Sequence, residues 1–155
     1  MDSSALAKLY VRETDSKSAQ RLLDADQAWV TAAHTFVEVR RVLSIRQEGR
    51  PLAAARSAFI RDWERVIVVE LDGTTCASAA MIAESTRART LDALHLAAAM
   101  RAVPGQRFVT FDVRQAAARH SASQSSEPEF RPLRYCWIRT GRRGHREGRQ
   151  VEALS

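Results

Sequence analysis

The run Val66-Ile67-Val68-Val69-Glu70 is short, β-branched and almost wholly apolar, and segments with apolar residues at helical spacing flank it. A strand without polar alternation is one buried on both faces, which is how strands of a parallel sheet read. Parallel neighbours need a crossover of a dozen or more residues, usually a helix. The rest of the chain supplies both parts. Strands are expected over 28–33 and over 108–111, where Phe108-Val109-Thr110-Phe111 is again apolar and β-rich. Helices are expected over 3–11, 16–24 and 35–47, the last because Phe36, Val39, Val42 and Leu43 recur on one face. Gly49-Arg50-Pro51 should end that helix, and Pro51 suits the first turn of another running to Glu64. Asp72-Gly73 reads as a turn, with Thr74-Thr75 capping a helix to about Arg87. Thr90 should cap a helix over 91–101, which Pro104-Gly105 breaks, and a short helix is expected over 113–119. Apolar strands alternating with helices give an α/β fold: a parallel sheet with helices on both faces, a three-layer arrangement.

A chain of 155 residues suits one domain, and 45% hydrophobic with 27% charged residues are ordinary values for a globular protein. The character changes after His120, through a Ser/Gln run at 121–126 to an Arg/Gly-rich stretch at 139–149. Residues 1–120 are therefore expected to form the domain, and 121–155 a basic, poorly ordered tail, in which 134–138 could add an edge strand. No apolar run reaches the length of a membrane span and no secretion signal stands at the N-terminus. Cys76 and Cys136 form neither a disulfide framework nor a CxxC metal motif, so reduced thiols and a cytoplasmic location are the expectation. The net charge is +6, and half of it lies in residues 127–155, where seven Arg meet four Glu. A basic balance favours anionic partners, nucleic acid among them, although only two of the basic residues are Lys and an Arg-rich composition alone would give the same total.

Three carboxylates stand where core packing would not put them. Glu38 interrupts Phe36-Val37-Glu38-Val39 in an apolar helix. Asp92 opens Leu91-Asp92-Ala93-Leu94-His95-Leu96-Ala97, a helix apolar on nearly every side. Asp112 follows the 108–111 strand, at the end where open parallel sheets bind ligands. Each has a structural reading as well: Asp92 favouring a helix N-terminus, Asp112 capping the next helix, Glu38 pairing with Arg41. His95 lies one turn after Asp92 and can be a ligand, or a core or supporting histidine. Trp29, Trp63 and Trp137 read as packing groups rather than base-stacking platforms, and no Gly-x-Ser-x-Gly elbow supports a serine hydrolase.

The motifs Asp2-Ser3-Ser4-Ala5-Leu6, Phe36-Val37-Glu38-Val39-Arg40, Leu91-Asp92-Ala93-Leu94-His95-Leu96-Ala97 and Phe108-Val109-Thr110-Phe111-Asp112 occur in this order. Together they resemble a PIN-domain nuclease, and closely the VapC-type toxins of type II toxin–antitoxin pairs, over about residues 2–119. The resemblance implies that Asp2, Glu38, Asp92 and Asp112 match the family's acidic metal-binding residues. It matches Ser4 and Thr110 to hydroxyl residues beside the first and last of them. Oxygen-only ligands select hard cations, so Mg²⁺ or Mn²⁺ is the expected cofactor. The implied activity is endoribonuclease cleavage of single-stranded or looped RNA, leaving a 5′-phosphate and a 3′-hydroxyl. The implied partners are the RNA substrate, a small cognate antitoxin and a second copy of the chain, with the apolar residues 6–10 and 39–45 as candidate contact surfaces.

The family places a hydrophobic strand before its first Asp, whereas only Met1 precedes Asp2 here. The first strand is therefore expected to be truncated, leaving Asp2 near a fraying end with the Met1 ammonium close to the acidic site. That departure and the basic tail motivate the competing expectation, a truncated, catalytically inactive PIN-like protein that binds RNA or another partner. A third is a nuclease of RNA maturation.

Overall fold

The computed structural model describes residues 1–13, 16–25, 28–102, 107–110 and 134–137. Their elements run α1 (Ser3–Ala7), α2 (Ser16–Asp24), β1 (Val30–Ala32), α3 (Thr35–Arg46), α4 (Gly49–Trp63), β2 (Ile67–Val69), α5 (Gly73–Thr86), α6 (Thr90–Arg101), β3 (Arg107–Thr110) and β4 (Arg134–Trp137). The fold is mixed α/β with parallel strand pairing. β1 pairs with β2 in the register Thr31↔Val68, and β3 pairs with β4 in the register Val109↔Cys136. The edge strand considered within the tail thus exists as β4. The helix expected over 113–119, Asp112 and the remainder of 121–155 lie outside the described residues.

The two strand pairs meet across the first two residues of the chain. The Met1 amino group donates to the Val30 carbonyl at 2.8 Å, and the Thr31 hydroxyl donates to the Met1 carbonyl at 2.8 Å. On the other side the Asp2 N–H donates to the Val109 carbonyl at 3.1 Å. No strand is assigned here, yet the backbone is held from β1 and β3 at once. This corrects the expectation of a fraying Asp2: buried polar backbone must find partners, and both neighbours supply them.

Sequence and structure differ at four helix ends, the first being α1, which stops at Ala7 rather than running to residue 11. Gly49 does not end α3 but opens α4, at φ +56°, a left-handed conformation that costs glycine nothing. This lets α3 and α4 follow each other across Gln47 and Glu48 alone. Asp72, rather than Thr74 or Thr75, caps α5: its carboxylate accepts from the Thr75 N–H at 2.9 Å. The cap residue of α6 is Arg89, without a side-chain cap bond, and Thr90 is already helical.

Apolar packing sets the helices against each other. Leu6, Val39, Leu43 and Phe59 are fully buried where α1, α3 and α4 meet, with Phe36 and Trp63 packed around the Phe59 ring. Ala79 and Ile82 of α5 pack on Ala93, Leu96 and Ala97 of α6, and small alanines let these two helices approach closely. Trp29 joins the first cluster and donates its indole N–H to the Leu23 carbonyl. Leu6, Val39 and Leu43 are thus core residues, while Val37 and Ile45 of α3 remain exposed. Among the described residues no helix is long and apolar enough to cross a membrane.

Candidate acidic site and its histidine neighbour

Asp2 is buried, with 2% of its surface exposed. Its backbone is extended, so its side chain turns back over α1 as an N-cap. Oδ1 accepts from the Ala5 N–H at 2.9 Å and Oδ2 accepts from the Thr110 hydroxyl at 2.6 Å. The Ser4 hydroxyl lies 2.8 and 3.0 Å from the two oxygens and donates its single proton between them. Thr110 is itself buried, at the end of β3. Two of the residues singled out in the sequence, Ser4 and Thr110, therefore converge on a third. A carboxylate offers about four acceptor positions, and these three donors engage both of its oxygens.

Glu38 lies in the first turn of α3 and reaches α6, not Arg41: its Oε2 is 2.7 Å from the His95 Nε2. His95 is 3% exposed and lies one turn after Asp92, so α6 carries both on one face. The His34 Nε2 is 3.6 Å from the same Glu38 oxygen, and the His34 and His95 rings sit 4.1 Å apart between centroids. Burial alone pushes the Glu38 carboxyl up. The hydrogen bond and charge of His95, with Ser3 and His34, outweigh burial and hold it below the usual carboxylate range. Burial, then the neighbouring His95, push His34 down to about 4 against the pull of Glu38. The Met1 amino group is likewise pushed down to about 6 by burial, with Asp2 pulling the other way. The positive charge expected beside Asp2 at neutral pH is thereby largely removed.

The structure joins Asp2, Ser4 and Thr110 in one cluster, and Glu38 and His95 in a second. Asp92 stands half-buried in the first turn of α6, and Asp112 lies outside the described residues. Among the described residues, the set of ligand-type atoms within 4.8 Å of one another is His34, Glu38 and His95, which shares only Glu38 with the four acids. The sequence reading missed His34. Its signal was the spacing to Glu38, one helical turn on the same face.

The PIN domain family matches residues 1–120. Ribonuclease VapC45 of Mycobacterium tuberculosis strain CDC 1551 is 32% identical over 127 residues, covering 78% of this chain and 88% of the relative. Ribonuclease VapC46 of strain H37Rv of the same species is 37% identical over 117 residues, covering 74% and 84%. Among solved structures, M. tuberculosis VapC20, a sarcin–ricin loop cleaving toxin, superposes with a TM-score of 0.60 at 25% identity, covering 84% of this chain and 97% of that one.

Proposed function

Because the chain belongs to the PIN-domain family, in its VapC-type branch, we propose that it is a toxin endoribonuclease with a Mg²⁺- or Mn²⁺-dependent acidic site. Asp2, Glu38, Asp92 and Asp112 would hold the cation. The observation that carries this reading is the grip on Asp2 by Ala5, Ser4 and Thr110 in a buried position. A ligand carboxylate must be fixed to within a fraction of an ångström, and these three donors fix Asp2 in one orientation. The donor chemistry fits a hard cation, since all four residues offer oxygen. Such a cation supplies an activated water and charge stabilisation on the phosphodiester.

The protein's own part is orientation. Ser4 and Thr110 fix the plane of the Asp2 carboxylate. His95 anchors Glu38 across the gap between α3 and α6 and keeps it charged. Asp92 is presented from the rigid first turn of α6, next to His95. The net charge of +6 favours the approach of a polyanion. VapC20 is described as cleaving the sarcin–ricin loop, and a looped, structured RNA is the substrate class we assign here. A small antitoxin covering the acidic groove, a homodimeric state and a cytoplasmic location complete the proposal. Light scattering during size-exclusion chromatography checks the dimer, for which the exposed Val37 and Ile45 of α3 are available.

The test is cleavage of structured RNA by purified protein with and without Mg²⁺ or Mn²⁺. Asp92→Asn should reduce the rate by a factor of a hundred or more, on the order of 3 kcal/mol of transition-state stabilisation. Metal-independent cleavage, or cleavage untouched by that substitution, refutes the proposal.

A further inference from the structure

We propose that His34, Glu38 and His95 form a second cation site, for a divalent metal that prefers nitrogen ligands, with Zn²⁺ as its type. The argument begins with placement. His34 immediately precedes α3 and Glu38 lies one turn into it, so both face the same way; His95 meets them from the buried face of α6. Their ligand atoms lie within 4.8 Å of one another, with the Glu38 Oε2 at 3.6 Å from His34 and 2.7 Å from His95. Tetrahedral zinc with bonds of about 2.0–2.1 Å sets its ligands roughly 3.3 Å apart. The two Glu38 distances lie on either side of that value and the two histidine ligand atoms lie within 4.8 Å of each other, so side-chain shifts of up to about 1.5 Å close the set.

A second observation points to a ligand. The side chains of His34 and His95 are 10% and 3% exposed, and the His34 Nε2, 3.6 Å from the Glu38 carboxylate, is buried without a hydrogen bond of its own, while the Leu91 backbone bears on the His34 ring. Buried polar atoms are ordinarily satisfied, and an imidazole lone pair facing a carboxylate and a second imidazole is satisfied by a metal. Two imidazoles and one carboxylate make a mixed N/O set that suits zinc and its neighbours, unlike the all-oxygen set of the four acids. Three protein ligands leave a coordination position for water or an anion. Binding requires the Nε2 lone pair of His95, so the proton between His95 and Glu38 leaves that position, passing to solvent or to the Nδ1 of the same ring, as the cation enters. It also draws Glu38 away from the acidic set. Zn²⁺ therefore acts as an inhibitor of the Mg²⁺-dependent reaction if the nuclease proposal holds, but the binding itself does not depend on that reading.

Metal-free protein is titrated with Co²⁺ and followed by its visible absorption, and with Zn²⁺ by calorimetry. One equivalent per chain is expected, with the stronger absorption bands of Co²⁺ in a four- or five-coordinate site. His34→Ala and His95→Gln each weaken binding at least about tenfold, whereas Glu84→Gln, an exposed carboxylate on α5 outside both sites, leaves it unchanged. In the unsubstituted protein, the Nε2 nitrogen resonances of His34 and His95 shift with Zn²⁺ and not with Mg²⁺, so the result does not rest on the variants folding. A Co²⁺ spectrum identical to the hexa-aquo ion, unshifted nitrogen resonances, or binding indifferent to both histidine substitutions overturns the proposal. RNA cleavage with Mg²⁺ is measured separately, and its absence would refute the nuclease reading while leaving this one standing.

Discussion

Replacing Thr110 by valine removes one hydroxyl and keeps nearly the same volume, so it removes the 2.6 Å bond from Thr110 to the Asp2 carboxylate. Both residues are all but inaccessible to water, at 1% and 2% exposure, so no solvent molecule can replace the lost donor. A hydrogen bond to a charged group contributes roughly 1.5–3 kcal/mol net. The Ala5 N–H and the Ser4 hydroxyl remain on the carboxylate, which places Thr110→Val near the middle of that range, about 2 kcal/mol. For a domain of this size the melting temperature should fall by roughly 4–8 °C. Circular dichroism melts and a urea titration at neutral pH measure it. A double-mutant cycle with Asp2→Ala sharpens the test: once the carboxylate is gone, the valine should cost little, giving a coupling energy of at least about 1 kcal/mol. A melting temperature within about 1 °C of the unsubstituted protein, or strictly additive losses, would show that the bond contributes nothing and refute the argument that Asp2 is held by its neighbours.

Two further outcomes follow from backbone and charge. At Gly49, φ +56° with nothing within 4 Å of an added Cβ, Gly49→Ala should destabilise the fold by about 1–2 kcal/mol from backbone conformation alone, read as a lower urea midpoint at unchanged slope. Acid should destabilise the protein through His34. It titrates near 4 when folded but at 6.5 when unfolded, so the unfolded chain binds the extra proton between those values. Stability is therefore intact above about 6.5 and lost as pH falls toward 4, by roughly 2 kcal/mol, with the Met1 amino group acting in the same sense between 8.0 and about 6. Thermal melts across that range should show a flatter profile for His34→Gln; an identical profile would remove His34 as the cause.

Local pattern carried the elements whose boundaries depend on local pattern. α2 occupies residues 16–24 as its apolar spacing predicts, and β2 lies within the apolar run that opened the reading. Helix ends were less legible where two capping residue types compete. Asp72 and the Thr74-Thr75 pair are both competent caps, and the choice falls to the residue whose extended backbone aims its carboxylate at the first free N–H groups. Gly49 likewise has two uses in sequence, ending one helix or opening the next. Only the packing of α4 on α3 selects the second. Ser4 and Thr110 were legible because the family motif carries them, but their convergence on Asp2 joins residues 108 positions apart. His95 reads in sequence as either a ligand or a supporting residue, and its bond to Glu38, 57 positions away, joins two residues that no local pattern links. His34 was visible only as an i,i+4 partner on a helix whose register was already known.

The two clusters also separate stability from chemistry in a way that selects the residue to test. Asp2 cannot be neutralised cleanly, because its carboxylate caps α1, binds Thr110 of β3 and sits on the backbone that ties β1 to β3. Loss of activity in an Asp2 variant would not tell a missing ligand from a loosened sheet. Asp92 stands differently. It occupies the first turn of α6, where a carboxylate contributes about 0.3–1 kcal/mol of helix-dipole interaction and no backbone tie between strands depends on it. The proposed site would lose a cation ligand by the same change. If the four acids act together, Asp92→Asn should abolish cleavage while lowering the melting temperature less than Thr110→Val does, and Thr110→Val, which loosens the Asp2 carboxylate, should lose stability and only part of its cleavage. The opposite pattern would place the chemistry at the junction of the strands rather than across α1, α3 and α6.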